Sequence, residues 1–338
     1  MATLDTYATE GNLPTGANGD MAYVTATDRI YLNDSGTWRY WDNEGVAGVD
    51  ANDLAYTGAK TGNPTSGTNY VITAQPDCHY DAAKYVTLSA GAATLGGAVD
   101  DWGDRSGNDN DAVQASATYQ PTYVTNHGNF GLQWPSSKGL GRMETTYTPA
   151  STPPGHTIVV AANPPAEAGH SLCSVVENQG AAGYQSAGMK MPAYGVAGAG
   201  PMIQSVDAAT VYNSTKAFLA QQYTQIFTIY DYDGDQKIFT NLEEVFTGSV
   251  SYTQGNIDNR LDDVYWLGAS AWVPGTYGSF GGTSAFGHGG IMYEVLIFTT
   301  ALSYTSDGTN LTGGNLKTVV DYLMNKYGVT TNYINSAS

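Results

Sequence analysis

The chain reads MYEVLIFTTALS over residues 292–303. Within this stretch, Met292 to Phe298 form a nearly continuous apolar run that is interrupted by Glu294. A run of this kind is typical of a strand that is covered on both faces of a sheet. The sequence therefore predicts a central β-strand here, with Glu294 as its charged residue.

A helix is predicted shortly after this strand, over the segment LKTVVDYLMNKYGV at residues 316–329. Its apolar residues recur at helical spacing: Leu316, Val319, Val320, Leu323 and Tyr327. Asn315 is placed as the N-cap, and Gly328 follows the expected end. Lys326 falls in the last turn, where the helix dipole favours a cation.

Several upstream segments have the composition of further strands. Residues 157–162 form a β-branched run suited to a strand covered on both faces, and 225–230, 237–240 and 264–268 are also strand-like. Charged residues make up 13% of the chain, which also has 41 Gly and 25 Tyr. Helical proteins usually carry more Glu, Lys, Leu and Arg, so the prediction is an all-β protein.

Two further segments carry a family resemblance. Residues 102–114 read WGDRSGNDNDAVQ and residues 120–124 read QPTYV. Together with 292–303 and 316–329, they resemble the opening and closing of a concanavalin A-like, or laminin-G-like, jelly-roll domain. The resemblance implies a two-sheet β-sandwich with a short C-terminal helix over 81–338. The Gly-rich link SYTSDGTNLTGGN at 303–315 departs from the compact turn of that family, so we expect the helix to dock differently.

The N-terminal region has a different pattern. Residues 13–45 alternate apolar and polar residues around turn-forming pairs, which predicts β-hairpins. The pattern GD-x-AYV…RIYL…G-x-W resembles a short module of phage tail and fibre proteins, which implies particle attachment. An ordinary aromatic-rich meander is the alternative. The predicted domains are a β module over 1–45, a linker over 46–80 and the sandwich over 81–338.

Charge and cysteine content limit the partners and the compartment. Lys and Arg number 13 against 31 Asp and Glu, a net charge of −18, which opposes binding to nucleic acid. The N-terminal sequence has no secretory signal pattern, and no apolar run approaches the roughly 20 residues of a membrane span. Cys78 and Cys173 are predicted to be free, buried thiols. We therefore expect synthesis in the host cytoplasm, no membrane insertion, and display on a virion surface.

The carboxylates show no catalytic pattern. Glycanases of this fold carry a strand motif E-x-D-x-x-E, and no Glu in this chain begins it. Glu243 and Glu244 are adjacent, so they point to opposite faces of a strand. No G-x-S-x-G nucleophile motif occurs either. The sequence predicts no catalytic residue and no enzyme.

No metal site or cofactor is assigned from the sequence. The segment DYDGD at 231–235 resembles the start of a calcium loop, but Leu242 occupies the position where an EF-hand needs Glu. A hairpin turn is predicted there instead. Aspartates crowd the region around 102–114, and hydrogen bonds to local backbone explain them; bound Ca²⁺ is the alternative. They are Asp100, Asp101, Asp104, Asp109 and Asp111.

The histidines lack metal-ligand spacing, and most of them are predicted to lie in loops or at the surface. They are His79, His127, His156, His170 and His288. Cys78 and His79 are adjacent in what reads as a loop, where a buried thiol beside an incidental histidine is expected.

One segment combines aromatic residues with glycines ahead of the final strand. The candidate contact residues in it are Trp272, Tyr277, Phe280, Phe286 and His288. Aromatic faces stack on sugar rings, and glycines let backbone groups approach a ligand. The same composition suits a subunit interface, which favours Tyr, Trp and Phe. Both interpretations, glycan contact and interface, remain open.

The predicted function is that of a non-enzymatic phage virion structural protein. It would serve in capsid decoration or in a head or tail fibre, and would display a lectin-like sandwich that contacts host surface glycans. Its expected partners are other virion proteins and copies of itself, for example in a trimer. The alternatives are a dedicated carbohydrate-binding receptor-recognition lectin and a polysaccharide-degrading enzyme.

Overall fold

The structure is a computed structural model of the chain, whose length is 338 residues. Its backbone contacts divide the chain into two compact units, Met1–Val71 and Ile72–Ser338. The residues that it describes are 5–8, 13, 21–24, 29–34, 37–41, 53–56, 69–84, 86–88, 94–135, 143–147, 155–163, 170–178, 184–191, 202–204, 211–213, 216–218, 224–232, 235–249, 264–268, 290–330 and 334–336.

The first unit contains a small sheet with the strand order β1-β2-β3-β4. These strands are β1 (Asp5–Tyr7), β2 (Met21–Val24), β3 (Arg29–Asp34) and β4 (Thr37–Trp41). β2, β3 and β4 pair antiparallel in sequence order, which confirms the predicted hairpins. β1 adds in parallel to β2. A short parallel pair, β5 (Leu54–Ala55) and β6 (Tyr70–Val71), follows.

The second unit contains two large sheets. The eight-stranded sheet consists, in spatial order, of β11 (Thr122–Asn126), β12 (Asn129–Gln133), β24 (Ile291–Phe298), β14 (Gly155–Asn163), β20 (Gln225–Tyr232), β21 (Asp235–Thr240) and β22 (Glu243–Ser249), with β7 (Cys78–Asp81) beside β24. The nine-stranded sheet consists of β18 (Val211–Asn213), β17 (Met202–Gln204), β16 (Tyr184–Met191), β15 (His170–Asn178), β23 (Val264–Leu267), β13 (Met143–Thr145), β10 (Ala112–Val113), β9 (Val99–Trp102) and β8 (Val86–Leu88).

Two small pairs complete the strands that the structure describes. They are β19 (Lys216–Phe218) with β27 (Ile334–Ser336), and β25 (Thr305–Ser306) with β26 (Leu311–Gly313). The predicted strand segments 157–162, 225–230, 237–240 and 292–298 fall within these elements, and the segment 264–268 extends one residue past β23. Asp231, Tyr232 and Asp235 lie in the antiparallel pair of β20 and β21.

The core lies between the two large sheets. In β14 it takes Ile158, Val160 and Ala162, which alternate along the strand and are all 0% exposed. Trp102 and Leu267 of the nine-stranded sheet face this row and are equally buried. Alternate residues of a strand share a face, so each sheet presents one apolar face to the other. The predicted all-β sandwich is confirmed.

The opposite face of the eight-stranded sheet is covered by the helix α1 (Gly314–Lys326), which packs against β14 and β20. Thr157 and Val159, which alternate with the core residues of β14, are therefore buried as well. This double cover explains why residues 157–162 form an unbroken run without a charged residue. No helix in the described part of the chain is long and apolar enough to cross a membrane.

The helix begins differently from the prediction. Its N-cap is Gly313, and Asn315 lies inside the first turn, so the predicted Asn315 cap is wrong. Ser303 supplies the acceptors instead: its hydroxyl accepts from Asn315 N at 3.1 Å, and its carbonyl accepts from Leu316 N at 3.1 Å. Gly328 has φ +64 just past the C-cap, as predicted from its position.

β24 lies at the centre of the eight-stranded sheet and has three neighbours. β14 pairs with it along one edge. The other edge is shared by β12, which pairs with Met292 and Ile291, and by β7, which pairs with residues 294–297. The sheet therefore takes in residues from Cys78 onward, within the region 46–80. The predicted domain limits stay a prediction.

Candidate functional site

The segment with the predicted contact residues connects β23 to β24. Those residues lie outside the described part of the chain: Trp272, Tyr277, Phe280, Phe286 and His288. The two ends of the segment are described, because Gly268 follows β23 and Gly290 precedes β24. The geometry of these ends determines where the segment leaves the sandwich.

Trp134, directly after β12, contacts both ends of the segment. Its backbone N–H donates to the carbonyl oxygen of Gly290 at 3.0 Å. Its indole ring lies against Gly268, where a Cβ atom would come within 1.7 Å of Nε1. Gly268 also has φ +82, a conformation that glycine adopts without strain. We call Trp134, Gly268 and Gly290 the tryptophan clamp.

The clamp is rigidly placed in the sandwich. Trp134 is 1% exposed, and its ring centroid lies 6.0 Å from that of Trp102 in the core. On the other side, Leu267 pairs with Met143, so Gly268 follows directly from a strand buried in the nine-stranded sheet. The clamp therefore connects the end of β23 in the nine-stranded sheet to the start of β24 in the eight-stranded sheet.

Three connections between the two sheets leave from the same end of the sandwich. The last residues of β12 and β14 pair with Ile291, the first residue of β24. In the other sheet, the last residue of β23 pairs with residues near the starts of β13 and β15. The segments 135–142, 164–169 and 268–290 therefore all begin and end there. Clustered loops on a rigid scaffold are a common setting for ligand binding.

A second group of functional side chains lies elsewhere, beneath α1. Glu294 is fully buried in β24 and accepts hydrogen bonds from four side chains. On Oε1 these are His79 Nε2 at 2.6 Å and the Tyr322 hydroxyl at 2.9 Å. On Oε2 they are Lys326 Nζ at 2.7 Å and the Tyr327 hydroxyl at 2.8 Å. Both carboxylate oxygens are thus engaged.

Asp81 lies directly opposite Glu294 across the β7–β24 pair. Like charges in such positions repel, and Lys326 offsets the repulsion because its Nζ also lies 2.6 Å from Asp81 Oδ2. The same oxygen accepts from Arg105 Nη1 at 2.6 Å, and Oδ1 accepts from Ala83 N at 3.0 Å. We call this group the carboxylate network: His79, Asp81, Arg105, Glu294, Tyr322, Lys326 and Tyr327.

The network favours the ionised form of Glu294. Burial alone would raise the pKa of Glu294, but the charge of Lys326 and the hydrogen bond from His79 hold it well below its usual range. Burial and the charge of Glu294 raise the pKa of Tyr327 well above its usual value, so the phenol remains a donor. Because Asp81 and Glu294 are 0% exposed, their carboxylates cannot meet a substrate while α1 is docked. The arrangement fastens the helix to the sheet.

The aspartate-rich loop after β9 braces the outer edge of β7. Asp104 Oδ1 accepts from the backbone N–H groups of His79 and Ser106, both at 2.8 Å. Its Oδ2 accepts from the Ser106 hydroxyl at 2.6 Å and from Asn110 N at 3.1 Å. Asp111 Oδ1 accepts from Asp104 N at 2.7 Å. The hydrogen-bonded turn predicted here is observed.

The described residues contain no group of three or more His, Cys, Asp or Glu side chains arranged to hold a metal ion. The aspartate cluster of the sequence is dispersed: Asp100 and Asp101 belong to β9, whereas Asp104 and Asp111 bind backbone groups in the loop. Asp104 and Asp111 therefore act as acceptors for backbone N–H donors.

Sequence reasoning missed most of the carboxylate network. His79 was predicted in a loop or at the surface, and this is wrong: it lies in β7, is 0% exposed and contacts Glu294. Cys78 is a buried free thiol, as predicted, but it also belongs to this strand rather than to a loop. Neither residue belongs to an apolar run, so periodicity gave no signal. The pairing of CHYD with β24 was the missing information.

The chain matches no protein-family model, and no curated protein sequence is significantly similar to it. Similar solved structures include the Ruminococcus gnavus IT-sialidase CBM40 bound to alpha2,3 sialyllactose, at 18% identity over 44% of this chain and 78% of that chain, with a TM-score of 0.33. Another is domain 4 of AbnA, a GH43 extracellular arabinanase from Geobacillus stearothermophilus, in complex with arabinotriose. It is 12% identical over 75% of this chain and 100% of that chain, with a TM-score of 0.45.

Trypanosoma rangeli sialidase in complex with sialic acid is 13% identical over 91% of this chain and 44% of that chain, with a TM-score of 0.46. All three TM-scores lie below 0.5, so these likenesses assign no function to the chain. The β-sandwich itself follows from the pairing of the strands within this chain.

Proposed function

We propose that this protein is a non-enzymatic structural component of a phage particle, and that its lectin-like sandwich contacts host surface glycans through the segment 269–289. The observation that carries the glycan part is the tryptophan clamp. It fixes both ends of the aromatic and Gly-rich segment at the end of the sandwich where three inter-sheet connections meet.

The residue types of this segment suit sugar recognition. Trp272, Tyr277, Phe280 and Phe286 would offer aromatic faces, which stack on the apolar faces of sugar rings. The intervening glycines would let backbone N–H and C=O groups approach the hydroxyls. His288 would add a side chain that both donates and accepts hydrogen bonds. Such a site needs no metal ion and no catalytic carboxylate.

The state of the described carboxylates supports a role without catalysis. Glycoside hydrolysis needs two carboxyl groups that reach the substrate. Asp81 and Glu294 lie opposite each other across β7 and β24, and both are buried and hydrogen-bonded. Their role is therefore to stabilise the fold.

The particle part of the proposal rests on sequence. The N-terminal module resembles a unit of phage tail and fibre proteins, and a net charge of −18 keeps a densely displayed protein soluble. We expect the sandwich to face outward and the N-terminal module to attach to the particle. Immunogold labelling of intact particles with antibody to the sandwich tests this part, and particles that carry no label contradict it.

A glycan array tests the recognition part. The wild-type protein is expected to bind a defined class of oligosaccharide, and the Trp272→Ala and Tyr277→Ala variants are expected to lose about tenfold or more in affinity, since each removes an aromatic stacking face. Phe130→Ala is the matched control, because Phe130 is a 40% exposed aromatic residue of the β11–β12 hairpin. Two results contradict glycan contact through this segment: the wild-type protein binds no glycan on the array, or the Phe130 variant loses as much affinity as the other two.

A further inference from the structure

We propose that Lys326 and Asp81 form a self-modification site, at which the lysine amine and the aspartate carboxyl condense to an amide that joins α1 covalently to β7. Glu294 carries the protons of this reaction. In the structure the two reactants form an ion pair, with Lys326 Nζ 2.6 Å from Asp81 Oδ2, and this pair is the state from which the bond forms. The bond is a modification of the fold and is separate from any contact with glycans.

Two strands and a helix hold the reactants in contact. Asp81 and Glu294 lie opposite each other across β7 and β24, and Lys326 reaches both from the last turn of α1. Lys326 Nζ lies 2.7 Å from Glu294 Oε2. It also lies 5.5 Å from the ring centroids of both Tyr322 and Tyr327. Well-oriented reactions within one molecule reach effective concentrations of about 10⁵–10⁸ M, so this fixed contact favours condensation.

The reaction balances with the groups that are present. Glu294 Oε2 takes a proton from the Lys326 ammonium, and the neutral Nζ attacks Cγ of Asp81, so that a C–N bond forms. The bond from Cγ to Oδ2 then breaks, and its electron pair stays on the oxygen. Glu294 passes to this oxygen the two protons that Nζ loses, and the oxygen leaves as one water molecule. An ammonium and a carboxylate thereby become a neutral amide, and no oxidant, reductant or cofactor takes part.

The two oxygens of Asp81 have different donors that suit this outcome. Oδ1 stays as the amide oxygen, and it accepts from Ala83 N at 3.0 Å. This N–H is placed to stabilise the negative charge that develops on Oδ1 during the attack. Oδ2 is the oxygen that leaves, and Arg105 Nη1 donates to it at 2.6 Å. The backbone and the guanidinium therefore assist different parts of the same step.

Burial favours the amide over the ion pair. The side chains of Asp81 and Glu294 are 0% exposed, and that of Lys326 is 23% exposed. Buried ions carry a large desolvation cost, and condensation removes one charge of each sign. The docked helix also limits hydrolysis because it keeps bulk water away. The pair of Lys317 and Asp321 lacks this protection: its Nζ–Oδ2 distance is also 2.6 Å, but its side chains are 29% and 34% exposed.

Mass spectrometry of the denatured wild-type chain tests the inference. After overnight incubation at neutral pH, the chain is expected to be lighter than its sequence mass by one water molecule. Trypsin does not cleave after an acylated lysine, so the digest is expected to contain the peptides 61–84 and 318–338 joined through Asp81 and Lys326. Cleavage after Lys317 is expected to proceed normally, which provides an internal control.

Three variants separate the bond from the ion pairs. Lys326→Arg keeps the positive charge but has no amine that can lose its proton and attack, so the linked peptide is expected to be absent. Lys317→Arg is the matched control in the same helix and is expected to keep the linked peptide. Glu294→Gln keeps the shape of the proton carrier but removes its function, and is expected to slow formation of the bond by about 10²–10⁴-fold. Samples taken during cell-free synthesis follow this rate.

Two results for the wild-type chain overturn the inference, and neither depends on whether a variant folds. One is a chain of full sequence mass that trypsin cleaves after Lys326. The other is a loss of water that fragment ions place within a single peptide, as a succinimide at Asp307 would give. Equal rates of bond formation in the wild type and Glu294→Gln overturn the role of Glu294 as the proton carrier.

Discussion

The tryptophan clamp and the carboxylate network both fasten distant parts of the sandwich, and they do so with opposite chemistry. The network uses ionised groups whose oxygens are all engaged, beneath a helix that covers them. The clamp uses one indole, one backbone hydrogen bond and two glycines, and its segment is rich in groups suited to a ligand. Shifted pKa values often mark a functional site; here the two network groups with shifted pKa values, Glu294 and Tyr327, fasten the helix to the sheet.

The largest effect expected from breaking the network comes from Lys326→Met. This change leaves Asp81 and Glu294 facing each other without their shared cation, so the free energy of unfolding is expected to fall by about 3–5 kcal/mol. Urea denaturation measures it. Lys317→Met is the control, because Lys317 forms a half-exposed i,i+4 pair with Asp321 in the same helix, and such pairs contribute only about 0.3–0.5 kcal/mol. Equal losses would show that the buried carboxylates do not depend on Lys326.

A smaller loss is expected from Tyr327→Phe, which removes one donor to Glu294 while keeping the ring. A buried acceptor that loses one partner costs about 1–3 kcal/mol. Tyr304→Phe is the matched control, because its hydroxyl bonds the exposed Asp235 at 2.5 Å, where water can replace it. Thermal unfolding of both variants gives the comparison. A larger loss for Tyr304→Phe would contradict the assignment of the network as the main fastening.

Acid is expected to weaken the carboxylate network, because protonation removes the charge of Glu294. The pKa of Glu294 is lower in the folded protein than in the unfolded chain. Its contribution is therefore fully present above the ordinary carboxyl pKa of about 4.3, and it is lost as the pH falls through the folded value. The slope from this group reaches at most about 1.4 kcal/mol per pH unit.

Stability measured from pH 7 to pH 2 for the wild type and Glu294→Gln checks this dependence. The wild-type advantage is expected to shrink below pH 4 or so, since protonated Glu294 then resembles the amide. A constant difference across the range would mean that Glu294 does not contribute through its charge.

The smallest effect is expected from removing divalent cations. The aspartate-rich loop already satisfies its carboxylates with N–H and O–H donors, so a chelator is expected to shift Tm by no more than about 1 °C. Differential scanning calorimetry with EDTA and with added Ca²⁺ measures this. A clear rise in Tm with Ca²⁺ would favour the alternative, a bound calcium ion.

The elements with a strong pattern were predictable from sequence, and the contacts between distant elements were not. β24 and α1 follow from an apolar run and from helical spacing, both of which depend on local sequence. The role of Lys326 illustrates the limit. Its place in the last turn was predicted, but its charge serves Asp81 and Glu294, which only the pairing of β7 with β24 brings within reach.

The candidate site also combines a feature that local sequence predicts with a contact that it does not. The aromatic and Gly-rich composition of 269–289 is visible in the sequence, whereas Trp134 precedes it by more than a hundred residues and belongs to no motif. Its contact with Gly268 depends on two strand pairings in different sheets, so no local pattern could have indicated it.

The central position of β24 has a consequence for how the protein is made. β7, β12 and β14 are synthesised early, yet each pairs with a strand that emerges from the ribosome only after residue 298 is added. Until then their edges have no partner in β24, and the nascent chain has long-range pairings still to form, which slows folding and favours association between chains. Ribosome stalling or truncation ahead of residue 291 should therefore yield aggregates rather than a smaller folded sandwich.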